Sequence, residues 1–231
     1  MQRAKDALIF APEHVLKEKG RIMYKLILAS QSPRRKELLK MIEPDFEIKV
    51  SNCEEKITSS EPKQVTMELA EQKAIAVATE LNRQKKNDKQ MEISVKDEDS
   101  FIVIGADTVV ASDTEILGKP KDKDDARRMI NKISGAIHQV YTGVALVLVK
   151  GGNVKLIDVF SEKTDVEVAH MSSQEIEEYI SGTEPYDKAG GYGIQGTFGK
   201  YVTGIKGDYN NVVGLPVCRL YNALKKCTKN I

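Results

Sequence analysis

The sequence predicts a mixed α/β or α+β architecture, a twisted sheet with flanking helices. Three observations carry this. Short apolar runs suited to buried strands, at residues 26–29 and 101–106, alternate with stretches of helical spacing. Two long alternating segments, residues 138–149 and 154–168, flank a Gly151-Gly152-Asn153 turn. That is the mark of an antiparallel pair, which a purely parallel sheet lacks. Finally, 231 residues with 41% hydrophobic and 30% charged side chains suit one large or two small globular domains.

Taken in order, residues 1–23 form an N-terminal extension without the continuous apolar core of a signal peptide, and residues 24–231 form the domain. The strand at 26–29 stops at Ser30. Ser32 then suits a helix N-cap and Pro33 a first helical position, which puts Arg34 and Arg35 at the positive end of a helix. A second strand covers 46–50. Residues 61–81 carry Val65, Leu69, Ala74, Ile75 and Val77 at near-helical spacing, with Lys73 among them. The polar stretch 82–100 lacks apolar periodicity and suggests an exposed, mobile insertion.

Residues 101–106 are apolar on both faces and predict a central strand. Asp107-Thr108 closes it, with Val109 and Val110 continuing in extended form, and a turn follows at 113–115. Ile116 and Leu117 lead to Gly118-Lys119-Pro120. A helix over 122–133 starts acidic and carries Arg127, Arg128 and Lys132 further on, as the helix dipole favours. Ser134-Gly135 ends it. Ser172 or Ser173 caps a further helix through Ile180. Residues 184–196 end with four glycines in seven positions, a sign of unusual backbone angles or close backbone approach. A short strand over 198–203 and a last helix over 217–226, with Leu220 and Leu224 inward, complete the pattern.

Composition excludes several functions. Lys plus Arg number 35 and Asp plus Glu 34, a net charge of +1, so no global field draws nucleic acid and any phosphate site must be local. No apolar run is long enough to cross a membrane. The three cysteines and three histidines are scattered outside any metal-ligand spacing, and the free thiols fit a reducing, cytoplasmic setting.

What remains is a set of charges. Asp107 ends the central strand, where it either closes a turn or holds a cation or a water. Glu54 and Glu55 follow the second strand and are either solvated or share a site with positive charge. Flanking Gly118 and Pro120 aim Lys119. Asp187 and Lys188 add a charge pair beside the glycine cluster, where Tyr192 and Gln195 offer a flat face and an amide suited to a base edge. Together Arg34, Arg35, Lys73, Lys119 and Lys188, with Glu54, Glu55, Asp107 and Asp187, are the mixture a metal-bound polyphosphate needs. A Walker-type glycine loop is absent.

Seven motifs then occur in order. They are Leu-Ala-Ser-Gln-Ser-Pro-Arg-Arg (28–35), Gly-Ala-Asp-Thr-Val-Val (105–110), Leu-Gly-Lys-Pro (117–120), Ser-Gly (134–135), Tyr-Thr-Gly-Val-Ala (141–145), Glu-Pro-Tyr-Asp-Lys-Ala-Gly-Gly-Tyr-Gly-Ile-Gln-Gly (184–196) and Asn-Val-Val-Gly-Leu-Pro (211–216). In these the chain resembles the Maf-like nucleoside triphosphate pyrophosphatases, or septum formation inhibitor proteins, over about residues 24–226. The resemblance implies a fold like that of inosine triphosphate pyrophosphatases, with two lobes around a central cleft. It implies hydrolysis of a nucleoside triphosphate to the monophosphate and pyrophosphate with Mg²⁺, or Mn²⁺ or Co²⁺. It also implies a house-cleaning role, with a division regulator that only binds nucleotide as the alternative.

By resemblance Asp107 is the catalytic carboxylate and Glu55 its partner at the metal and water site. Ser30, Arg34, Arg35, Lys73 and Lys119 match phosphate-binding positions, with Lys73 and Lys119 counted among the catalytic groups. Gln195 matches a nucleotide-site position, and Lys188 joins the substrate-binding candidates. Tyr-Gly-Ile-Gln-Gly (192–196) resembles the branch acting on dTTP and UTP rather than the one preferring 7-methyl-GTP. A homodimer is implied as well.

Overall fold

The computed structural model describes residues 24–50, 53–89, 100–113 and 115–227. The expected N-terminal extension, residues 1–23, and the second half of the polar stretch, 90–99, lie outside the described residues.

The strands are β1 (Lys25–Leu28), β2 (Phe46–Ile48), β3 (Phe101–Ser112), β4 (Glu115–Leu117), β5 (Ile137–Lys150), β6 (Asn153–Val168) and β7 (Val202–Lys206). They form one seven-stranded sheet in the order β2-β1-β3-β5-β6-β7, with β4 added beside the far end of β3. β1 runs parallel to β2 and β3, and every other pairing is antiparallel. The mixed sheet therefore matches the predicted class. The β5–β6 hairpin turns at Gly151 and Gly152, both with positive φ (57° and 78°), the backbone a tight two-residue turn requires.

Alternation along β3 decides what covers each face. Ile102, Ile104 and Ala106 join Leu26, Leu28, Val144 and Leu146 under α1 (Pro33–Lys40) and α6 (Val217–Cys227), through Leu38, Leu39, Leu220 and Leu224. On the opposite face Val103, Ala145 and Val147 pack against Ala70, Ala74, Val77 and Ala78 of α2 (Pro62–Lys89). A third core fills the far end of the long strands. There Val110, Val140 and Val166 lie under α3 (Lys123–Ile133), α4 (Ser173–Ile180) and the rings of Tyr192, Phe198 and Tyr201. Cores at the two ends of the same strands make the two expected lobes.

Several boundaries differ from expectation. α2 continues to Lys89, through half of the stretch expected to be an insertion. Its Lys, Gln and Glu residues are good helix formers, and Glu80 pairs with Arg83 and Gln84 one turn on. The expected strand at 198–203 begins instead with a 3-10 turn, Thr197–Tyr201, and only then enters β7. A short helix, α5 (Tyr209–Val213), capped by Asp208, was not predicted. Ser172, rather than Ser173, caps α4 in a reciprocal capping box with Glu175.

Candidate active site

The site lies where β3, paired with β5 along one edge, lacks a neighbour on the other. β1 pairs with β3 only as far as Ile104, and β4 joins it only from Val110. Asp107 and Thr108 fall in this break, the reversal point at which open sheets bind ligands. The chain leaves the sheet on each side of the break. From β1 it runs through Ser30 into α1, where Ser32 caps the helix by accepting from the Arg35 amide at 3.4 Å. From β4 it runs through Gly118-Lys119-Pro120, tied to the glycine segment by Gly190 N–H donating to Gly118 C=O at 2.9 Å.

Alternation sends Asp107 and Thr108 to opposite sides. Asp107 shares a face with Val103 and meets α2, where its carboxylate accepts from the Lys73 ammonium. Lys73 also pairs with Glu55 Oε1 at 3.1 Å, so two carboxylates share one cation. Thr108 shares a face with Ile104 and accepts from Arg35 Nη2 at 3.0 Å. Arg35 further donates from Nη1 to Ser30 Oγ at 3.1 Å and from Nε to Gly214 C=O at 2.9 Å. Burial lowers its pKa, with Asp107 acting the other way. With so high an ordinary value, it stays a cation.

These groups open into one cleft of about 520 Å³. Of the predicted residues, Asp107, Lys73, Lys119, Arg34, Arg35, Gln195 and Lys188 line it, together with Asp187 and Tyr192. Ser30 lines an adjoining hollow that shares Arg34, Arg35, Lys73 and Lys119. Glu55 is joined to the site through Lys73. Glu54 turns away to a shallow groove beside Glu68 and Gln72, and takes no part. Lys119 is exposed and makes no ion pair among the described residues, so its charge is available to a ligand.

Lys188 is used differently from Lys119. Its ammonium donates to Glu184 C=O at 2.9 Å and pairs with Asp187 at 2.5 Å, so it supports the loop it lines. Glu184, which sequence reasoning overlooked, holds the same loop. Its carboxylate accepts from the Thr197 amide and hydroxyl at 2.8 and 2.7 Å and from Tyr179 OH at 3.3 Å. A Cβ on Gly196 would fall 2.1 Å from that carboxylate, so any larger residue there would push the Glu184 carboxylate off its donors. Burial pushes the Glu184 pKa up, but the donors outweigh it and the net shift is downward.

Behind the cleft, buried His138 meets Tyr192 OH through Nε2 at 2.6 Å, while its Nδ1 has no hydrogen-bond partner among the described residues. Burial pushes the imidazole down to about 4. Folding thus keeps it neutral, and the unfolded chain binds the extra proton. This contribution is complete above pH 6.5 and is lost as the pH falls toward 4, by about 3 kcal/mol in all. Urea unfolding across that window should show a shallower pH dependence in His138→Gln than in the wild type.

Asp107 and Glu55 supply hard oxygen donors about one cationic point, which fits Mg²⁺ bound by one or two carboxylates plus substrate phosphates. Among the described residues no group of three or more His, Cys, Asp or Glu forms a metal cage.

A family model described as Maf-like protein matches residues 25–227. The chain belongs to the Maf-like protein family. Relatives of this Maf-like protein carry the name dTTP/UTP pyrophosphatase. The one from Agathobacter rectalis is 51% identical over 88% of this chain and 98% of its own. One from Bacillus cereus is 44% identical over 88% and 96%, and one from Koribacter versatilis 46% over 87% and 93%. Among solved structures the Staphylococcus aureus Ham1 protein is matched at a TM-score of 0.35, with 16% identity over 63% of this chain and 72% of that one, a likeness too slight to argue from. Among the described residues no helix of this Maf-like protein is long and apolar enough to cross a membrane.

Proposed function

We propose that the cleft hydrolyses nucleoside triphosphates, dTTP and UTP foremost, to the monophosphate and pyrophosphate. The observation that carries this is the convergence of Asp107 with Lys73, Arg34, Arg35 and Lys119 on one cavity. A triphosphate brings several negative charges, and cations fixed before it arrives stabilise the charge that builds on departing pyrophosphate. The relatives named dTTP/UTP pyrophosphatase support the same substrate class.

Asp107 takes the proton of the water that attacks the α-phosphorus, with Lys73 fixing the carboxylate's position. Arg34, Arg35 and Lys119 bind the phosphate oxygens, Arg35 with its planar fork. Gln195, exposed on the loop that Glu184 and Lys188 brace, offers its amide to the base beside Tyr192. Asp107 and Glu55 would hold the divalent cation, Mg²⁺ with Mn²⁺ or Co²⁺ as substitutes. When bound, it neutralises phosphate charge.

A cytoplasmic homodimer that clears unwanted nucleotides, without a nucleic-acid partner, belongs to the same reading. A division regulator that only binds nucleotide is disfavoured, because binding alone gives no reason to place two carboxylates on one half-buried ammonium. Pyrophosphate release should be fastest from dTTP and UTP in a panel of triphosphates and should stop in EDTA. Tight binding without turnover would favour the regulator.

A further inference from the structure

One hydrogen-bonded ring behind the cleft has a determined direction at every link. Thr142 Oγ lies 2.9 Å from Asn211 C=O, which can only accept, so Thr142 spends its hydrogen there. Thr108 Oγ lies 2.9 Å from Thr142 Oγ and must donate to it. Arg35 Nη2 donates to Thr108 Oγ, and Arg35 Nε donates to Gly214 C=O. Asn211 lies in α5 and Gly214 caps its end, so the ring closes through one short helix.

That helix is itself fixed to the sheet. Asn211 Nδ2 donates to Val140 C=O and to Thr164 Oγ, both at 3.0 Å, and Thr164 Oγ donates to Asp208 C=O at 2.9 Å. Thr142, Thr164 and Asn211 are fully buried. Arg35 has five N–H groups. Thr108, Gly214 and Ser30 take three of them, which leaves one on each terminal nitrogen. Two N–H groups on adjacent terminal nitrogens match the spacing of two phosphate oxygens.

We propose that Thr108, Thr142 and Asn211 are positioning residues that aim the Arg35 fork at the phosphate chain of the substrate. This rests on the triphosphate reading of the cleft. Buried hydroxyls could merely satisfy one another, and a double-mutant cycle separates the two roles.

Thr142→Val keeps the shape and removes the hydroxyl. It should raise KM for dTTP and weaken inorganic pyrophosphate binding by calorimetry, each by about tenfold. Thr142→Ser should restore both to within about threefold of the wild type. In an Arg35→Lys background, Thr142→Val should have no further effect on either quantity. Values for Thr142→Val within about twofold of the wild type, or an undiminished loss in the Arg35→Lys background, would overturn the proposal.

Should Thr142→Val fail to fold, Thr108→Val breaks the ring one link nearer Arg35 in a half-buried side chain. The same loss of pyrophosphate affinity is expected, and unchanged affinity overturns the proposal. A wild-type protein that hydrolyses no triphosphate sinks the triphosphate reading instead, while the pyrophosphate titrations still decide the ring.

Discussion

Asp107→Asn is expected to lower kcat for dTTP by about 10³-fold while the protein stays folded. The amide keeps the volume and a contact with Lys73, but it cannot take a proton and, without the negative charge, holds a divalent cation far more weakly. Folding should survive because Lys73 retains Glu55 at 3.1 Å and Asp107 sits at a break in the sheet edge rather than within a continuous core. Pyrophosphate release at saturating dTTP and Mg²⁺, paired with a thermal melt, checks both halves. A well-folded Asn variant with more than about a tenth of the wild-type rate would remove Asp107 from the proton-accepting role.

Where periodicity and local capping carried the signal, the fold was legible from the residues alone. Residues 101–106 are apolar on both faces, and they do form a central strand, but it does not close at Asp107-Thr108: pairing with β5 carries it on to Ser112, which puts Asp107 in mid-strand. Ser32-Pro33 started a helix where capping chemistry placed it, which set Arg34 and Arg35 at its first turn. The charges that meet in the cleft were also visible one by one, since polyphosphate chemistry limits the useful residue types.

Juxtaposition was not legible. Glu54 and Glu55 are neighbours in sequence, yet only Glu55 reaches Lys73, because backbone direction in an irregular segment leaves no periodic trace. The Asp187–Lys188 charge pair was legible from the neighbouring residues, but that Glu184 C=O also holds the ammonium was not. Thr142 offered one faint signal, a hydroxyl on the inward face of an apolar strand, where a polar group demands a partner. That the partner is a carbonyl of α5, 69 residues away, follows from tertiary packing alone.

The distance from Lys73 to Asp107 has its own cause, and it leads to the largest stability effect. Asp107 and Gly143 are cross-strand partners, and Gly105 lies two residues before Asp107 on the same face. A Cβ on Gly143 would stand 2.1 Å from Thr66 C=O and 2.7 Å from Met67 N. On Gly105 it would stand 2.1 Å from Ala70 C=O. Each obstacle is backbone of α2, so no side-chain rotation relieves it. The two glycines, facing the alanines of α2, are what allow the helix to lie low enough for Lys73 to reach the carboxylate.

Gly143→Ala must therefore lift α2 by about 1 Å, at a cost of about 3 kcal/mol as overpacking. Because the lift moves Lys73 off Asp107, kcat should also fall by about 10²-fold without any change at a charged residue. Gly182→Ala is the control, since its Cβ would meet only Tyr179 C=O at 3.4 Å, and its stability should change by less than about 0.5 kcal/mol. Denaturant unfolding and pyrophosphate release on both variants decide the matter. If Gly143→Ala proved as stable and active as Gly182→Ala, α2 would not be held at its height by these glycines, and the placement of Lys73 would need another origin.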